Sequence, residues 1–380
     1  MNILIYIIIT GIIQGHILAF YLLLSNKGNK KANKILGLLI LSFSITISHF
    51  VFYALSTYNN YPHLLLIFEP LIFTFGPLFL FYERTLISKN YIFSKTKFFH
   101  FIPAITCLAF YSPFYFSGAN VKLLFVTNNS YQILIDISRN VEIIHLIQMF
   151  IYLIIINKDL KKYHNQILKS YSSLEKINLN WLKLIVILFM SVYAVVVFLL
   201  FFEILGFWEF SAIYGTKIIG VLVSLCVYII GYRGLVQPEI FVSFENEETE
   251  SKQTSKSEVA KTFDNGSMTA LLDFMLDKKP YLKEDLTLAE LAKQIGFSRN
   301  QLSALINSGT GENFYMFINK YRVEEVKRQL ANSEKSHYTI LAIAFESGFP
   351  SKSSFHNIFK KFTGITPMEF RNSLTIQESN

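Results

Sequence analysis

The first 235 residues are built from apolar runs of about 20 residues each, and that repetition decides what the chain can fold into. At the rise of an α-helix, such a run covers the roughly 30 Å of hydrocarbon in a bilayer. Seven runs stand out, at 3–24, 35–55, 62–82, 98–116, 133–156, 182–205 and 213–232. Apolar residues make up 52% of the 380 and charged residues only 16%, a balance that excludes an ordinary soluble protein. The first run has no basic flank or small-residue cleavage site and is too long for a secretory leader, so it is expected to stay as a span. Cys107 and Cys226 both fall inside apolar runs, which argues against a structural disulfide or a zinc site.

Charge in the short loops orients the bundle, because Lys and Arg near span ends stay cytoplasmic. Lys27, Lys30, Lys31 and Lys34 follow the first span; Arg84, Lys89, Lys95 and Lys97 the third; Lys158, Lys161, Lys162, Lys169, Lys176 and Lys183 surround the fifth-to-sixth loop. The intervening loops offer only Lys122. Seven spans in this register leave the N-terminus outside and residues 233–380 in the cytoplasm, as expected of a multi-pass protein of the cytoplasmic (inner) membrane. The fourth span, interrupted by Pro103 and Pro113, is the weakest of the set.

Composition then changes. Between 241 and 268 the chain carries Glu245, Glu247, Glu248 and Glu250 among Ser, Thr, Lys and Gln, and nothing in it can build a core. A coil of this length reaches about 30 Å. The expected organisation is a membrane domain at 1–240, an acidic linker at 241–268 and a third domain at 269–374, all of it α-helical.

The third domain repeats a two-helix pattern. Thr287 and Glu290 form a capping box ahead of Leu288, Leu291, Ala292 and Ile295, and Gly296 ends that helix. Ser298 and Gln301 open the next, which turns Leu302, Leu305 and Ile306 inward and leaves Arg299, Asn300, Ser303 and Asn307 facing out. About 50 residues on, Thr339 caps Ile340, Ile343 and Ala344; Gly348 ends that helix; and Ser351 starts another with Phe355, Ile358, Phe359 and Phe362 inward. Its outer face shows Lys352, Ser353, Ser354, His356, Asn357, Lys360 and Lys361. A helix over 314–330 joins the halves, and Thr366-Pro367-x-Glu369 starts a last one. Each half is a helix-turn-helix whose second helix presents polar side chains, as entry into a DNA groove requires.

Together with Gly348-Phe349, Phe359-Lys360-Lys361, Gly364-Ile365-Thr366-Pro367 and Phe370-Arg371, the paired units over Leu286–Leu374 resemble the DNA-binding domain of the AraC/XylS family of bacterial transcription regulators. The resemblance implies two recognition helices entering successive major grooves of double-stranded DNA, held apart by the linking helix. It places the base-reading positions of the first helix on Asn300, Ser303 and Ala304, whose Ser and Ala are short, which shifts sequence preference towards Lys352, Ser353 and Asn357 or towards DNA shape.

Asn300 and Asn357 carry the amide that pairs with adenine, whereas Arg299, Lys352, Lys360 and Lys361 suit phosphates; a solvated helix face is the alternative for both sets. The inward phenylalanines have core spacing, not that of stacking platforms. The domain's positive excess is small, so pairing two tethered domains as a homodimer would raise affinity.

Ionisable residues inside spans are expensive and mark function or internal ion pairs. Glu69, Asp136, Arg139, Glu142 and His145 are the candidates for a signal site, with Glu203 and Lys217 nearby in sequence pattern. The four on the fifth span recur every third residue and so share one side of a helix. No catalytic arrangement, cofactor motif or metal motif is present in the sequence pattern. The expectation is a membrane-integrated regulator that answers a small-molecule or membrane signal; the alternative is a transporter or enzyme whose DNA-binding module regulates its own synthesis.

Overall fold

The structure, a computed structural model, describes residues 3–88, 91–127, 132–175, 177–207, 210, 214–236 and 265–378. Two compact units emerge, Met1–Leu160 with Leu179–Ser243, and Lys161–Asn178 with Phe244–Asn380. Most of the expected linker lies outside the described residues, and Asn265 already begins a helix.

The first unit comprises α1 (Ile3–Leu24), α2 (Lys30–Ala54), α3 (Thr57–Asn60), α4 (Glu69–Ile72), α5 (Phe75–Ile87), α6 (Ile102–Tyr115), α7 (Ala119–Thr127), α8 (Gln132–Ser170, up to Leu160), α9 (Asn180–Ile204) and α10 (Thr216–Val236). Helix α1 packs along α2, and α10 packs against α1, α2 and α9. Small residues permit the approach: a Cβ on Gly11 would meet Ser224 of α10, and one on Gly15 would overlap the Ser44 hydroxyl of α2. These glycines stand one turn apart, the spacing that lets helices without a hydrophobic driving force draw close.

Five helices among the described residues are long and apolar enough to cross a membrane, and six if one bent pair counts as a single span. That pair falls on the expected third span: Pro62–Ile72 and Phe75–Ile87 are bent by 41° just ahead of Gly76-Pro77, the geometry of a broken span or of a re-entrant loop. The expected fourth span survives Pro113, which sits near the end of α6. Helix α10 covers most of the expected seventh run but is not one of the membrane-length helices, so the expected count of seven is not reached among the described residues. Large apolar side chains point outward along these helices, among them Ile17 at 67% exposure, Ile187 at 61% and Ile204 at 82%. Water would make such a surface costly; lipid makes it favourable.

The second unit contains α11 (Asn265–Lys278), α12 (Leu288–Ile295), α13 (Arg299–Thr310), α14 (Phe314–Leu330), α15 (Ile340–Glu346), α16 (Lys352–Thr363) and α17 (Pro367–Glu378). It has two cores. Leu271 and Met275 of α11 join Leu288, Leu291, Leu302, Ile306 and Phe317 in one; Val326, Ile343, Phe349, Phe355 and Phe359 form the other. Helix α14 serves both, giving Phe314, Phe317 and Ile318 to the first and Val323 and Val326 to the second. The unit also takes in the last turns of α8 and the stretch after it, where Tyr171 pairs antiparallel with Thr287.

Two glycines test how tightly the turns are built. Gly296 and Gly348 both take left-handed φ, 76° and 88°, but a Cβ at Gly296 meets open space whereas one at Gly348 would run into the Tyr281 and Leu282 carbonyls. Gly296→Ala is therefore expected to cost about 1 kcal/mol. Gly348→Ala should cost clearly more, on the order of 3 kcal/mol, because backbone cannot move aside as a side chain can. Thermal denaturation of the two variants side by side checks the ranking.

Candidate functional site

Capping chemistry sets both helix-turn-helix units. The Thr287 hydroxyl accepts from the Glu290 N–H at 3.2 Å while the Glu290 carboxylate accepts from the Thr287 N–H at 3.1 Å. Ser298 and Gln301 repeat the exchange at 3.2 and 2.9 Å, so α13 starts three residues after Gly296 has ended α12. In the second unit the Thr339 and Ser351 hydroxyls accept from Ala342 and Ser354. Behind it, Thr366 and Glu369 close a further box that opens α17. Each cap satisfies N–H groups that a helix start would otherwise leave bare, and those of Ser298 and Ser351 fix where α13 and α16 begin.

The outward residues fall as expected on α13 and α16. Asn300 and Asn307 are exposed and Arg299 and Ser303 half-buried on the first; Lys352, Ser353, Asn357, Lys360 and Lys361 are exposed and Ser354 half-buried on the second. Phe349, Phe355 and Phe359 are core, packed edge to face with ring centroids 5.2 to 5.6 Å apart. Among the outward residues, Arg299 and Ser353 have partners 129 and 178 residues away in sequence. The Arg299 guanidinium donates to the Ser170 hydroxyl at 2.6 Å, and the Ser353 hydroxyl lies 3.4 Å from a Glu175 carboxylate oxygen.

Sequence reading assigned α14 only an apolar face and missed a buried polar row beside it. Asn319, Arg322, Glu325 and Gln329 are all at most 6% exposed. Gln329 donates to Glu325 at 3.0 Å, and Arg328 forms an ion pair with the same carboxylate. Burial works against the charge on Glu325, but the hydrogen bonds and charges of Arg328, Gln329 and Lys279 hold its pKa at about 2. The three- and four-residue spacing of these polar positions was the available signal, and it reads equally well as a solvated face.

In the first unit, Glu69, Glu142 and His145 come together at a cavity of about 290 Å³, joined by Glu203, His49 and Tyr193. Apart from Thr46 the rest of the lining is apolar, chiefly from α2, α9 and α10. His145 is buried and its Nε2 is 3.0 Å from the Tyr193 hydroxyl; His49 Nδ1 is 2.7 Å from the Tyr58 hydroxyl. Arg139 is exposed and does not line this cavity, so the three-residue stripe divides; the Asp136 side chain lies outside the described residues. Among the described residues no group of three or more His, Cys, Asp or Glu is placed to hold a metal ion.

Residues 291–373 match the model of a helix-turn-helix domain. The C-terminal domain is an AraC-type helix-turn-helix domain. Over 91 residues it is 37% identical to an uncharacterized HTH-type transcriptional regulator of Staphylococcus aureus strain COL, a stretch that is 24% of this chain and 12% of that protein. Over 89 residues it is 29% identical to the uncharacterized HTH-type transcriptional regulator YtdP of Bacillus subtilis strain 168, covering 23% of this chain and 11% of the relative. The chain thus spans about an eighth of the length of the first of these relatives. A solved structure of a protein of unknown function from Listeria innocua shares 26% identity over 28% of this chain and 94% of its own, with a TM-score of 0.24.

On the expectation that Lys360 and Lys361 hold phosphates, Lys360→Ala with Lys361→Ala should weaken DNA binding equally for all sequences. The slope of log affinity against log salt should become shallower by about 0.9 for each phosphate no longer neutralised. Asn357→Ala should leave that slope alone and flatten discrimination between sequences. Titrations at several salt concentrations separate the two.

Proposed function

We propose that this protein is a membrane-integrated transcription regulator: the helix-turn-helix domain binds specific double-stranded DNA from the cytoplasmic side, and the helical bundle receives the signal that controls it. The observation that carries this reading is the presence of two fully capped helix-turn-helix units and several membrane-length apolar helices in one chain. Lys and Arg crowd the loops that this orientation places in the cytoplasm.

In this reading Asn300, Ser303, Asn307, Ser353, Ser354 and Asn357 face base edges, and Arg299, Lys352, Lys360 and Lys361 hold phosphates. The signal site is the cavity with Glu69, Glu142 and His145, and a ligand acts there by binding one packing of the bundle better than another. Two chains acting together would supply the affinity that one weakly basic domain lacks.

The test uses the full-length protein in cells, with Lys352 and Asn357 both changed to Ala. Genome-wide occupancy should fall to background at the sites the wild type holds, while the variant still fractionates with the membrane in equal amount. Unchanged occupancy would remove the assignment of these residues; recovery of the wild type in the soluble fraction would remove the membrane assignment.

A further inference from the structure

Within the second unit, the segment after α8 is seated in the interior of the DNA-binding domain. Ser172 is 1% exposed. Its carbonyl accepts from Arg322 Nη1 at 3.2 Å and from Asn319 Nδ2 at 3.0 Å, its hydroxyl accepts from Arg322 Nη2 at 3.1 Å, and its N–H donates to the Leu286 carbonyl at 3.1 Å. Arg322 and Asn319 are themselves fully buried. A segment held by every polar atom of one buried residue is a built contact. A loop merely lying on a surface would not be so completely bonded.

The neighbours of Ser172 reach the two recognition helices. Ser170 takes the Arg299 guanidinium at the first residue of α13; Glu175 stands beside Ser353 at the second residue of α16. Helix starts are where these motifs meet DNA.

We propose that residues 170–175 form an internal competitor of DNA, a tethered segment that occupies Arg299 and Ser353 and must leave before the recognition helices can dock. The proposal rests on the reading that those residues face DNA. Exclusion has two sources. Arg299 cannot direct the same donor to Ser170 and to a phosphate, and the Glu175 side chain fills the place beside Ser353 that a base edge would take, bringing a negative charge towards the DNA. Because the competitor is part of the same chain, it acts at an effective concentration near millimolar, so modest intrinsic affinity suffices to oppose DNA. Ser170 is also the last residue of α8, the helix that carries Glu142 and His145 at the bundle cavity. Any signal that displaces α8 along the chain therefore reaches the competitor directly.

Two full-length variants in detergent or nanodiscs test this, read by retardation of a mixed-sequence duplex of about 40 base pairs at low salt. Tyr171→Cys with Thr287→Cys places thiols at the facing pair of the antiparallel bridge, and both native cysteines are buried, so oxidation should lock the segment in place. The locked protein is expected to bind DNA at least about tenfold more weakly than the same protein after reduction. Ser170→Ala, Ser172→Ala and Glu175→Ala together, which leave every proposed DNA contact intact, should bind about tenfold more tightly than wild type. Equal affinity in the oxidised and reduced states, or a triple variant no tighter than wild type, overturns the proposal. If wild type, reduced and triple variants all fail to retard the duplex, the DNA-binding reading itself fails, and the competitor with it.

Discussion

The arrangement of the second unit depends on one buried cation. Arg322, with no exposed surface, donates from Nε to the Tyr281 carbonyl at 2.8 Å and from Nη2 to the carbonyls of Lys283 and Glu284 at 2.7 and 3.1 Å, besides its bonds to Ser172. An ion stripped of water is tolerated only when its donors are used in this way. Burial pulls its pKa down to about 10, so it stays charged at neutral pH and keeps all its donors. By fixing residues 281–284 against α14 it sets how the chain enters α12, and α14 itself runs through both cores. The placement of two recognition helices thus descends from one guanidinium and one shared helix. Gly348 leans on the same loop, since its close approach is to the carbonyls of Tyr281 and Leu282.

Local chemistry explains why so much of this unit was legible in the sequence. Caps, left-handed glycines and inward apolar positions act over three or four residues, and Thr287, Ser298, Gly296 and Gly348 all do what their spacing predicted. The linking helix runs over the predicted 314–330. What stayed hidden is non-local. Nothing near Ser172 announces that it will meet Arg322, 150 residues on, and Arg299 reads as a phosphate ligand until Ser170 is beside it. Helix α11 escaped for a different reason: its start merges with a polar stretch, and its core residues Leu271 and Met275 are too few to show a period.

The bundle shows the same division. Run length and apolarity marked the helices, whereas the bend ahead of Gly76-Pro77 and the gathering of Glu69, Glu142, His145 and Glu203 at one cavity depend on how those helices pack. A three-residue period drifts round a helix of 3.6 residues per turn, so Arg139 and His145 need not share a neighbour, and here Arg139 does not line the cavity.

For the proposed competitor, the energies are of the size that a bound signal could reverse. Two hydrogen bonds with neutral groups at about 0.5–1.5 kcal/mol net each and two from the Arg322 cation at about 1.5–3 kcal/mol each hold Ser172 with roughly 4–9 kcal/mol, before the cost of ordering the segment. Reversing a two-state equilibrium from about 1:99 to 99:1 requires about 5.5 kcal/mol of differential binding. The two ranges overlap. In the proposed regulator, a clasp much stronger would keep DNA out under every stimulus, and one much weaker would leave the bundle nothing to control. Because Ser172 is held by neutral groups and one already satisfied arginine, its release exposes no unpaired carboxylate and leaves Arg322 with its bonds to Tyr281, Lys283 and Glu284. Release of the proposed competitor would therefore leave the fold of the helix-turn-helix domain in place.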